Sequence, residues 1–399
     1  MSPRAGFVFL HRWIGLAMTA FLILVGLTGS ILAFQPQLNH WLTPDFYPGP
    51  HAGAQLDPAA LALRAEALFP RGLAKTVYLG DEGTATIGMA ARPGAPPLGF
   101  NQLFLDPVTG EEMARRQVGG LPDGWDNLMP FIYRLHYNLA IGPIGRWTLG
   151  IVALAWTIDC FIGFYLTLPR FGGTVGRGFF TLWKTAWLLK LRSSAYRINF
   201  DLHRAAGLWL WVMLLVFAWS SVSFNLKEVY DPAMRIVFDY RSDEAQTPAR
   251  PGELVMMDWA EAQISGRKIL AEQALLHGFT VERPIALYKL RERGLYEYRV
   301  RSSRDLGDQD GRTSIFFDAF SGELRDLRLP TGKHAGNTIT AWLHALHMAK
   351  VFGLPYRIFV CALGFAIAML SVTGVYIWSR KRRAQRLRAR HAAVHVTAA

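Results

Sequence analysis

Residues 10–34 read LHRWIGLAMTAFLILVGLTGSILAF, and residues 202–226 read LHRAAGLWLWVMLLVFAWSSVSFNL. Both open on one pattern, Leu10-His11-Arg12-x-x-Gly15-Leu16 and Leu202-His203-Arg204-x-x-Gly207-Leu208, at an offset of 192 residues. Both then stay apolar for about 20 residues, the length an α-helix needs to cross the hydrocarbon core of a bilayer. A membrane span that recurs together with its opening motif points to a duplicated chain.

Working outward, spans are expected at 13–34, 147–168, 207–226 and 358–378. The first is too long for a signal-peptide core and no small-x-small site follows it, so it is expected to stay as an anchor. The other two spans repeat as well. Leu135-His136, Gly142, Arg146, Gly163 and Tyr165 recur as Leu346-His347, Gly353, Arg357, Gly374 and Tyr376, at an offset of 211. Between the spans, Phe104-Leu-Asp106-Pro-Val-Thr-Gly110-Glu111 matches Phe316-Phe-Asp318-Ala-Phe-Ser-Gly322-Glu323 at an offset of 212. Each reads as a strand entering a tight turn whose chemistry comes from Asp and Gly. Helix-like segments at 58–68 and 259–277 and strand-like segments at 75–88 and 285–302 complete two small α+β modules.

The expected fold class is therefore an α-helical integral membrane protein. Four transmembrane helices would come from a duplicated span–module–span unit, the halves being parallel repeats about an axis along the membrane normal. The chain divides into 1–34 (N-terminus and first span), 35–130 (first module), 131–168 (outer histidine segment and second span) and 169–200 (basic loop). It continues with 201–226 (third span), 227–338 (second module), 339–379 (outer histidine segment and fourth span) and 380–399 (basic tail).

The charge is uneven. The chain of 399 residues holds 43 Lys+Arg against 30 Asp+Glu, a net +13. The N-terminus, the middle loop and the tail hold 16 basic residues and one acid, Asp201, so they carry +15 and the remainder −2. Positive charge marks the cytoplasmic side of a membrane protein. Both termini are expected in the cytoplasm and both modules outside it, which removes nucleic acid as a partner and makes the basic residues contacts of the lipid bilayer. Residues 179–192 (FFTLWKTAWLLKLR) are expected to lie in the interface as a helix.

Four of the 11 histidines recur in the repeat, each at the mouth of a span. His11 and His203 begin equivalent helices on one side, and His136 and His347 occupy equivalent places on the other. Ionisable groups at membrane depth are costly and point to function. Facing imidazoles between helices are the axial ligands of a non-covalent b-type haem; another metal, or hydrogen bonds to backbone and headgroups, are the alternatives. Gly15, Gly26, Gly29, Gly207 and Gly163 would let a porphyrin approach, and Arg12 and Arg204 could pair with its propionates. His344, one turn before His347, is a second candidate for the outer ligand. Gly142-Pro143 and Gly353-Leu-Pro355 could break the helices and fold the outer histidines back toward the bundle. Asp159 in the second span could be a proton relay or a carboxylate beside the cofactor, and its repeat counterpart is Leu370. Cys160 and Cys361 read as core.

The two histidine motifs and the Asp-Pro-x-Thr-Gly-Glu turn resemble the PepSY-associated transmembrane family of bacterial inner-membrane proteins, over nearly the whole chain from Phe7 to about Arg383. Within it, similarity to the FoxB-type ferric-siderophore reductases implies two haem b groups ligated by His11, His203, His136 and His347. It also implies electron transfer from the cytoplasm to a periplasmic ferric siderophore, reducing Fe(III) to Fe(II) for release. The electron donor would be a separate reductase or reduced flavin, because the chain has no nicotinamide or flavin fingerprint. Trp125, Phe131, Tyr133 and Trp342 are candidates for meeting the siderophore or for an interfacial aromatic belt. The rival readings are a regulatory membrane protein whose modules bind a peptide or protease, and a transporter for a ferric chelate.

Overall fold

Long apolar runs opened by proline become helices here, and short alternating runs become strands. The computed structural model describes residues 2–49, 53–80, 83–119, 124–169, 178–242, 256–307 and 311–397. Its helices are α1 (Pro3–Leu32), α2 (Gln35–Leu42), α3 (Pro58–Leu68), α4 (Leu128–Asn138), α5 (Pro143–Thr167), α6 (Phe179–Trp183), α7 (Ala195–Trp209), α8 (Trp211–Asn225), α9 (Lys227–Val237), α10 (Trp259–His277), α11 (Ala335–His347) and α12 (Gly353–Thr397). Its strands are β1 (Gly72–Leu79), β2 (Ala85–Ala91), β3 (Gln102–Leu105), β4 (Glu112–Arg116), β5 (Val281–Leu290), β6 (Leu295–Ser302), β7 (Thr313–Asp318) and β8 (Leu324–Arg328). One compact unit comprises Met1–Ala33, Tyr133–Tyr230 and Leu354–Ala399; the other comprises Phe34–Ile132 and Asp231–Gly353.

In the first unit, α1, α5 and α12 are each long and apolar enough to cross a membrane. The span expected at 207–226 departs from expectation. It is a bent pair, α7 and α8, meeting at 68°, and only if the pair counts as one span do the candidates number four. No proline causes the bend at Leu210. Gly207 weakens the turn before it, and the Trp211 indole donates to the Cys160 carbonyl of α5 at 2.8 Å, pinning the second segment. The expected interfacial helix over 179–192 shrinks to α6 and a single 3₁₀ turn, Lys184–Trp187. Arg204 explains the stop: its guanidinium captures the Thr185 carbonyl that a continuing helix would use. The basic and glycine-rich positions at 170–177 lie outside the described residues.

Small residues set the closest helix approach. A Cβ on Gly26 would stand 2.6 Å from the Gly364 carbonyl oxygen, and Ser30 Oγ donates to the Cys361 carbonyl at 2.8 Å. Backbones meet this closely only where no side chain intervenes. Gly26 is thus a packing contact between α1 and α12, not an opening for a cofactor. Gly364→Leu is expected to prevent this contact and to abolish a monodisperse, folded species in detergent size-exclusion chromatography.

In the second unit the two expected modules share one sheet. All eight strands form one antiparallel sheet in the order β4-β3-β2-β1-β5-β6-β7-β8. The two four-stranded halves join through β1 and β5, with Val77 opposite Leu287, so each half covers the other's inner edge. The order reads identically from either edge inward. Period-two alternation turns Val77, Ile87, Leu103, Leu287, Tyr296, Tyr298, Ile315 and Phe317 into one core with Leu61 and Ala62 of α3 and Trp259 and Leu270 of α10. Gln263 of α10 accepts from the Ala59 backbone N–H at 2.7 Å, tying the two helices.

The repeated turn is structural in both halves. Asp106 Oδ1 accepts from the N–H groups of Val108 and Thr109, and Asp318 Oδ1 from those of Phe320 and Ser321. Even the bulge repeats, after Phe104 and after Phe316. Burial alone would raise the Asp318 carboxyl; the Arg325 guanidinium at 2.8 Å and the two backbone N–H groups outweigh it and hold it at about 2. A folded value below the ordinary 3.8 means that the stabilisation is complete above 3.8 and is lost as pH falls through about 2. It amounts to about 2 kcal/mol. Asp318→Asn is therefore expected to lower stability by about that amount at neutral pH. The difference from wild type should vanish near pH 2 in thermal melts followed by circular dichroism.

Candidate functional site

His11 comes from α1 and His203 from α7, and each ring leans on a different neighbouring helix. The His11 Nδ1–H donates to Asp159 of α5, with Oδ1 at 2.9 Å and Oδ2 at 3.0 Å. His203 Nδ1 lies 2.9 Å from Thr373 Oγ1 and 3.1 Å from the Leu370 carbonyl of α12. A carboxylate and a carbonyl only accept, and the Thr373 hydroxyl already donates to Leu370. Nδ1 therefore carries the proton in both neutral rings, which leaves the lone pair on Nε2. Among the described residues, neither Nε2 has a hydrogen-bond partner.

The rings face each other with centres 6.1 Å apart and planes at 61°. One metal ion bound by a nitrogen from each ring, at about 2 Å per bond, sets ring centres about 6 Å apart. Two imidazoles in this arrangement could hold one such ion. Among the described residues, no three His, Cys, Asp or Glu side chains converge in a way that could hold a metal ion.

The glycines sort into two kinds. Gly163 and Gly374, repeat counterparts, seat the imidazoles: a Cβ there would lie 3.6 Å from His11 Cε1 and 3.4 Å from His203 Cε1. Gly163 was expected to admit a flat cofactor and instead packs beside the His11 ring. Gly15 and Gly207 stand one turn beyond His11 and His203. A Cβ on Gly15 would meet nothing within 4 Å, and one on Gly207 only Leu370 Cδ2 at 4.0 Å. These two leave open space beside the histidines.

His136 lies on α4 and also packs on glycine, with a Gly29 Cβ position 3.1 Å from its Cε1. Thr28 Oγ1 donates to the Leu24 carbonyl at 2.7 Å and so accepts from His136 Nδ1–H at 3.0 Å, which gives the same tautomer as in His11 and His203. Gly29 follows His11 by 18 residues on α1, roughly 27 Å of helix. The expected breaks are present: Leu139, Ala140 and Gly142 separate α4 from α5 with positive φ, and Ala349, Phe352 and Gly353 separate α11 from α12. His347 ends α11, half-buried, in the sheet-bearing unit.

His344 differs in kind. Its Nδ1 lies 2.7 Å from Arg312 Nη1. A guanidinium only donates, so Nδ1 accepts and the proton sits on Nε2. That tautomer has no lone pair at Nε2 for a metal, which leaves His347 as the better outer candidate. Arg12 is exposed and makes no hydrogen bond or ion pair with the described residues. Arg204 is committed to Asp201, which is fully buried between Arg197 and Arg204 at 2.9 Å each. Its Nε is nevertheless buried without a partner. Cys160 is buried and Cys361 half-buried, both unpaired. Trp125, Tyr133 and Trp342 are exposed.

Sequence reading missed Thr28 and Thr373 as partners of histidines. Repeat symmetry could not flag them, because their counterparts are Ser220 and Ile162. Asp159 was visible, but its service to His11 was not. Asp159→Leu would leave a half-buried imidazole N–H unpaired and is expected to cost about 1 kcal/mol, read as a lower melting temperature in detergent. Asp159→Asn, which keeps an acceptor, should lose less.

A family model described as the PepSY-associated TM region matches residues 8–381. No curated protein sequence matches the chain.

Proposed function

The chain belongs to the PepSY-associated transmembrane family, and we propose that it is a di-haem b oxidoreductase that reduces ferric siderophores. It is a multi-pass membrane protein. In this reading the bent α7–α8 pair counts as the fourth span of a duplicated unit, both termini are cytoplasmic and the sheet is periplasmic. The observation that carries the reading is the His11–His203 pair, 6.1 Å between ring centres, with both Nδ1 atoms tied to the protein.

Three features fit a porphyrin there. Each ring keeps its Nε2 lone pair free, because its Nδ1–H is taken by an acceptor of the protein. Gly15 and Gly207 leave room beside them. The Arg204 Nε is a buried donor awaiting an acceptor such as a propionate, and Arg12 offers a second cation. His136 would be a ligand of the second haem. Bound there, haem supplies one-electron redox chemistry at an iron whose potential follows from its ligands, burial and neighbouring hydrogen bonds.

The chain's own groups do the rest. Asp159 and the Leu370–Thr373 pair fix the tautomer and orientation of the two inner ligands, and the Thr28 hydroxyl does so for His136. Gly163, Gly374 and Gly29 let helix backbones pack close to the rings. A cytoplasmic reductase or reduced flavin would donate the electrons. The acceptor would be Fe(III) held by hard oxygen ligands, which bind Fe(II) far less well, so reduction releases the metal.

His203→Leu and His136→Leu are each expected to halve the haem bound per chain. Either variant should slow reoxidation of the dithionite-reduced protein by a ferric trihydroxamate by more than about tenfold, measured by stopped-flow absorbance. Unchanged haem content in both variants would overturn the ligand assignment. Intact haem with no reoxidation by any ferric chelate would overturn the siderophore step.

A further inference from the structure

Strand alternation gives the sheet a second face, opposite to α3 and α10, and there the two halves diverge. In the first half Arg116 lies over Phe104 at 5.0 Å, and Phe46 stacks on the same ring at 4.9 Å. Arg116 is satisfied by neutral groups: Gln102 Oε1 at 2.8 Å and the Asp126 carbonyl at 2.8 Å. The face is filled. In the second half the counterparts are Arg328 over Phe316, at 4.2 Å, and Ser314 in place of Gln102. Among the described residues no ring stacks on Phe316. A shorter side chain and a missing aromatic lid leave a cavity of about 160 Å³ between this face and α11.

Its lining is cationic. Arg241, Arg299, Arg312, Arg328 and Lys333 line it together with two carboxylates, Glu297 and Asp326. Asp326 is shared by Arg241 at 3.0 Å and Arg328 at 3.1 Å, and Glu297 pairs with Arg299 at 2.6 Å. Lys333 makes no hydrogen bond or ion pair with the described residues. On the α11 side, Asn337, Thr340 and His344 face in at helical spacing, and His344 receives Arg312. The cavity is smaller than the roughly 300–1,000 Å³ of pockets that enclose drug-sized ligands. Its donors and surplus charge suit a compact anion with several oxygens, because guanidinium groups bind carboxylate and phosphate through paired N–H donors.

We propose that this cavity is a binding site for a small, multiply charged oxyanion, a polycarboxylate or a phosphate. The site does not depend on haem. Combined with the proposed function, on which this one step rests, it makes carboxylate-bearing ferric chelates preferred substrates over neutral ones.

The test is isothermal titration calorimetry on the full chain in detergent, with citrate, inorganic phosphate and acetate as probes. Citrate or phosphate is expected to bind at one site per chain, and acetate at least about tenfold more weakly. Arg299→Gln/Lys333→Gln should weaken binding about tenfold or more, and Lys333→Gln alone, which leaves the Arg299–Glu297 pair intact, should weaken it with an unchanged melting temperature. Citrate above phosphate would identify a polycarboxylate site, and phosphate above citrate a phosphate site; either supports the proposal. No saturable heat from either anion, or equal affinity in the double variant, overturns it. His203→Leu keeps the cavity and should bind the anion as wild type does, so failure of the haem reading and failure of this one are read separately.

Discussion

A neutral imidazole has one nitrogen that donates and one that accepts, and its neighbour decides which is which. In the helical unit that decision is made three times in the same sense. Asp159, the Leu370–Thr373 pair and Thr28 each take the Nδ1 proton, of His11, His203 and His136 respectively. Each ring also rests on a glycine, so the acceptor and the missing side chain act together. The helix approach at Gly26 and Gly364 and the bend at Leu210 belong to the same packing. If the acceptors were donors, the protons would sit on Nε2 and no lone pair would be left there.

Much of this was legible in the sequence because duplication writes each element twice. The helices at 58–68 and 259–277 match α3 and α10 residue for residue, and the Asp106 and Asp318 turns have the same hydrogen bonds. What was not legible has physical reasons. Two modules with free inner edges look independent in one dimension, and only strand pairing shows that β1 and β5 complete each other. Hydropathy over 207–226 cannot register a bend, since composition is the same whether the helix is straight or broken. The stop after Lys184–Trp187 depends on Arg204, distant in sequence.

Departures from the repeat are as informative as the repeat. Asp159 stands where the other half has Leu370, so one inner histidine hydrogen-bonds a charged acceptor and its partner a neutral one. Gln102 and Phe46 fill one end of the sheet, whereas Ser314 leaves the other open and ringed by arginine. That charge could have been read from the strands themselves. Glu297 and Arg299, Arg312 and Ser314, and Asp326 and Arg328 flank the buried Tyr298, Thr313 and Leu327, which places all of them on one face. The duplicated frame keeps the fold while single substitutions make the halves chemically different.

The central claim is that two facing histidines, each held in the Nδ1–H tautomer, are axial ligands of haem. The most direct measurement is the absorption spectrum of the full chain purified from haem-replete cells, oxidised and then dithionite-reduced, with haem quantified as pyridine haemochrome. The account requires sharp reduced bands of a six-coordinate b-type haem at about two haems per chain. A folded, monodisperse and colourless protein would contradict it.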